Sequence, residues 1–90
     1  MRRQLTRGSR RLAALHAELE IADEQLRHLG DDADDEATRA LVADSTAATR
    51  DARHAAAHAE SMRRHRDATA EEIARLEARR DELLDRLGPG

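Results

Sequence analysis

A chain of 90 residues with 16 arginines, 19 acids and a net charge of −3 holds one small domain and is not a uniformly basic nucleic-acid binder. It lacks Phe, Tyr, Trp and Cys, which excludes disulfides, thiolate chemistry and an aromatic-filled sandwich or barrel core. Nineteen alanines, the leucines and the charged residues dominate the chain, as in a coiled coil or long helix. No apolar run is long enough for a signal peptide or a membrane span, so a cytoplasmic protein with no membrane contact is expected.

The chain begins with "MRRQLTRGSRR", where Arg2, Arg3, Arg7, Arg10 and Arg11 occur without an acid. From there Leu5, Leu12, Leu19 and Leu26 recur every seven residues, with Gly8, Leu15, Ala22 and Leu29 between them. This is an a/d heptad pattern with one weak layer at Gly8, and it predicts helix one over about 5–29. Gly30 suits a helix stop. The acidic run "DDADDE", 31–36, then reads as a turn, so residues 30–36 are the expected hairpin tip.

Helix two is predicted over about 34–87. One set is Leu41, Ala48, Ala55, Met62, Thr69, Leu76 and Leu83; the other runs from Thr38 through Ala59, Arg66 and Ile73 to Leu87. "GPG" forms a tail, 88–90. The expected fold is therefore all-α: a single domain over 1–90, an antiparallel helical hairpin (coiled coil) with a longer second helix. The alternative is a three-helix bundle, with a break near 66–69 where Asp67 or Thr69 could cap a new helix. In the expected register, facing residue numbers sum to 67, so Leu19 meets Ala48 and Leu12 meets Ala55. Residues 67–87 then overhang helix one. Their apolar residues Ile73, Leu76, Leu83, Leu84 and Leu87 are the expected self-association surface of a homodimer.

"DDADDEAT" resembles the coiled-coil tip of the DksA-type transcription factors, and acidic coiled-coil tips are shared by the Gre-type factors. The resemblance rests on Asp31, Ala33, Asp34, Ala37 and Thr38. It implies a tip that enters the secondary channel of RNA polymerase, with Asp31 and Asp34 as the active acids and Asp35 beside them. The chain has no cysteines for the zinc finger of the DksA type. The tail "AESMRRHRDATAEEIARLEARRDELLDRL" resembles the small Ala/Arg-rich coiled-coil proteins of actinobacteria, which implies the fold and assigns no activity.

His54, His58 and His65 form one stripe at helical spacing but lack the Glu of a zinc-protease motif, so partly exposed surface histidines are expected. In the expected register Arg63 and Arg64 join Arg2, Arg3, Arg7, Arg10 and Arg11 in one basic end. Without aromatics to stack on bases, and without a helix-turn-helix pattern, nucleic acid is disfavoured as a partner. No nucleophile, base and pocket converge, so no enzyme, catalytic residue, cofactor or metal is expected. The leading expectation is a non-catalytic interaction or scaffold protein with a partner protein still to be identified. RNA polymerase regulation through the acidic tip is the second reading, and backbone binding of nucleic acid through the basic end is the third.

Overall fold

A computed structural model describes residues 2–88, and it is all-α. Helix α1 spans Arg2–Ala43 and α2 spans Thr46–Leu87, each 42 residues long. They fold back on one another as an antiparallel hairpin measuring 69 × 15 × 14 Å. Of the expected tail 88–90, only Gly88 lies within the described residues.

From Leu5 to Leu29 and from Ala48 to Leu83 the heptad seam forms as the spacing predicts, whereas Thr38, Leu41, Ser45 and Leu87, expected on it, are exposed. Leu12, Leu15 and Ile73 are buried together, with Leu19 and Leu76 packed against them. Ala22, Ala59 and Thr69 are also buried. Every a and d position from Leu5 to Ala40 and from Ala48 to Leu83 is buried or half-buried. These positions are mostly Leu, Ile, Met and Ala, so the stripe removes apolar surface from water along the whole rod.

The register differs from the expected one. Leu15 lies across from Ile73 and Leu12 across from Leu76, pairs whose numbers sum to 88 rather than 67. The difference is 21, three whole heptads, so the same seam residues pair with different partners. Both helices are equally long, and the expected overhang of residues 67–87 does not exist. The expected tip, 30–36, is an interior stretch of α1. Gly30 does not stop the helix. It costs about 1 kcal/mol relative to Ala in a helix interior, and the seam continues past it through Ala33, Glu36 and Ala40.

The turn falls instead at Asp44–Ser45. Asp44 takes φ 48°, a left-handed conformation that Asp tolerates better than most residues, and its N–H donates to the Ala40 carbonyl at 3.2 Å. Ser45 is extended at φ −126° and ψ 154°, and its Oγ accepts from the Ala48 N–H at 3.1 Å. One residue thus closes α1 and the next caps α2, giving a two-residue helical turn.

Helix α2 does not break near 66–69. Thr69 is only 6% exposed, and its hydroxyl donates to the His65 carbonyl of its own helix at 3.0 Å. That bond satisfies the polar atom inside the seam without a cap, so the three-helix alternative is excluded. The helix ends as expected at Leu87, where the Gly88 N–H donates to the Leu84 carbonyl at 3.0 Å.

Candidate functional site

The slipped register relocates every charged cluster. Asp31, Asp34 and Asp35 are exposed on the flank of α1, well inside the rod and not at its end. The tip-like pattern that resembles polymerase-channel factors therefore occupies a helix interior. Glu36 sits on the seam, half-buried, and accepts a hydrogen bond from Arg39 at 2.7 Å. Asp32 and Glu36 border a shallow groove of about 270 Å³ with Asp51, His54 and His58 of α2. Among the described residues no three His, Asp or Glu side chains converge to hold a metal ion. His54, His58 and His65 are all exposed.

The real tip carries a different surface. Leu41 and Val42 are 85% and 83% exposed, immediately before the turn. Sequence reasoning assigned Leu41 to the seam because its number fits the α2 heptad. It lies on α1, however, whose seam position is Ala40, and so Leu41 points outward. The signal for the correct turn was present in "ADST", an αL-tolerant Asp followed by a Ser cap.

At the open end, Arg2, Arg3, Arg7, Arg10 and Arg11 lie beside the last turns of α2. Arg63 and Arg64 do not join them; they sit in the middle of the rod, where Arg63 pairs with Glu60 at 3.4 Å. The expected grouping fails for the same reason as the tip, the three-heptad slip. The arginines that do join the end come from the last turns of α2, Arg79, Arg80 and Arg86 among them. With Arg7, Arg79 and Arg80 rim a depression of about 210 Å³ whose walls include Leu5, Leu76 and Leu83. It lies where Gly8 leaves a seam layer without a side chain. Residues 2–15 and 73–88 hold nine arginines and four acids, whereas residues 31–58 hold seven acids and three arginines. The rod is electrically polar along its length.

The expected self-association residues are divided. Ile73 is 5% exposed and Leu76 packs beside it, so both belong to the core of the hairpin. Leu83 is half-buried near Leu5. Only Leu84 and Leu87, each about half exposed, remain available.

Among the described residues two ion pairs stitch the helices. Arg11 reaches Glu72 at 3.0 Å, and Arg66 donates from Nε to Asp23 Oδ1 at 2.7 Å. Arg66 occupies a seam position beside the buried Ala22, so its stem packs inward while its guanidinium turns out to Asp23 and Asp67. Hydrogen bonds to Asp23 first, then Asp67, hold the Arg66 pKa above its ordinary value.

Among the described residues no helix is long and apolar enough to cross a membrane. Comparison with known proteins finds no matching family, curated protein or solved structure.

Proposed function

We propose that this chain is a non-catalytic helical-hairpin interaction protein that acts as a homodimer. The observation that carries this reading is surface area. A compact 10.0 kDa monomer exposes about 5,200 Å². This hairpin exposes 7016 Å². The excess, roughly 1,800 Å² per chain, falls in the range that obligate homodimers bury. A two-helix hairpin with so few fully buried residues has little core of its own, and association supplies more. Sedimentation equilibrium tests the reading: a mass of two chains is expected at micromolar concentration, and a single-chain mass throughout would reject it.

A further inference from the structure

A second stripe runs along α1 outside its seam with α2, and Arg7 of this stripe also borders the open-end depression. It repeats at spacings of three and four, as the seam does, and all of it is exposed. It begins with Arg3, Arg7 and Arg10. It continues through Ala14, Ala17 and Ile21, and Ile21 is 56% exposed. Past Glu24 and His28 it ends in Asp31 and Asp35. Basic, small and apolar, then acidic: the stripe is complementary to itself reversed.

We propose that this outer face of α1 docks antiparallel against the same face of a second copy. This rests on the homodimer reading above and assigns its surface and orientation. When facing residues sum to 38, Ala17 of each copy meets Ile21 of the other, a small–large pair beside the two-fold axis. Arg7 then faces Asp31 and Arg3 faces Asp35, and each pair occurs twice by symmetry. Arg10 falls opposite His28 and Ala14 opposite Glu24. From Arg3 to Asp35 the seam spans about 48 Å at the helical rise.

Three observations favour this occupant. First, Arg3, Arg7, Arg10, Asp31 and Asp35 form no ion pair within their own hairpin among the described residues, although other arginines of the chain do. Second, each cluster repels itself along the helix, and the first turn of α1 has no acid to offset arginines at the positive end of the helix dipole. A reversed copy relieves both. Third, a parallel pairing would set arginine against arginine and aspartate against aspartate, so charge selects the antiparallel orientation. Burial of Ile21 against the alanines supplies apolar contact, and the exposed ion pairs supply direction.

The test is a charge-swap cycle read by sedimentation equilibrium, with far-UV circular dichroism confirming helix content. Arg3→Asp/Arg7→Asp and Asp31→Arg/Asp35→Arg should each be monomeric alone. Mixed in equal amounts they should form a dimer, because both sets of opposite charges are restored. Ile21→Asp, at a position exposed in the hairpin, should weaken the dimer at least tenfold without unfolding it. A swapped variant that dimerises as well as wild type, or a mixture that stays monomeric, overturns this face while leaving self-association standing. A monomeric wild type overturns both.

Discussion

The two halves of the hairpin share one heptad repeat and differ in what fills it. Toward the open end, Leu12, Leu15 and Leu19 pack with Ile73 and Leu76. Toward the turn, the seam residues are Ala33, Glu36 and Ala40 on one side and Ala48, Ala52 and Ala55 on the other. Large meets large at one end, and alanine supplies most of the layers at the other. The periodicity is therefore no guide to where stability resides. A leucine layer removes several times the apolar area of an alanine layer, so the open half holds most of the hydrophobic stabilisation. The turn half relies on helix propensity, for which Ala is the best residue, and on the cap at Ser45.

Substitutions can break or sharpen this contrast, measured as chemical unfolding at one fixed protein concentration. The largest effect is expected at Leu15, which is 1% exposed. Leu15→Ala should cost about 3 kcal/mol by lost burial and a cavity. A loss below about 1 kcal/mol would show that the leucine half is not the stability centre. Next, Ser45→Ala removes the side-chain acceptor for the Ala48 N–H and should cost about 1 kcal/mol. An unchanged midpoint would move the turn away from Asp44–Ser45.

Gly30→Ala gives a test by sign. A Cβ at Gly30 meets nothing within 4 Å, and the residue lies inside α1. A gain of about 0.5–1 kcal/mol is expected from better helix propensity. If residues 30–36 were a turn with Gly30 left-handed, the same substitution would destabilise, so a loss would favour the other register. The smallest effect concerns Arg11–Glu72, whose partners are 54% and 37% exposed. A double-mutant cycle to Ala should return a coupling of about 0.2–0.5 kcal/mol. A value near zero would remove this exposed pair from the features that hold the register.

The seam was legible in the sequence because it follows from local spacing: Leu5 to Leu29 and Ala48 to Leu83 lie on it as their positions predict. The helix end at Leu87 was legible from the glycine after it. The register was not legible from spacing, because a strict seven-residue repeat is unchanged when one helix slides by a multiple of seven. What separates the alternatives is chemistry outside the repeat. Pairing Leu19 with Ala48 offers alternation of large and small, yet leaves the apolar C-terminal third of α2 without a partner. Sliding by three heptads pairs that third with Leu12, Leu15 and Leu19 and places the turn on Asp44 and Ser45. The displaced candidates, Asp31, Asp34 and Asp35 at a tip and Arg63 and Arg64 at a basic end, were consequences of the register and moved with it. Leu41 and Val42 were missed for the same reason.

The strict repeat bears on how the chain reaches its fold. Hairpins slipped by one, two or three heptads all bring apolar residues together, so they compete with the native pairing while the chain searches. The shortest loop closes at Asp44–Ser45, and contacts near it carry the lowest entropic cost and form early. Yet the alanines beside that turn grip weakly. Until the distant leucines meet, the left-handed Asp44 and the Ser45 cap must hold the zipper straight. Weakening them should therefore make refolding slower and multiphasic, as mispaired hairpins form, stall and reopen.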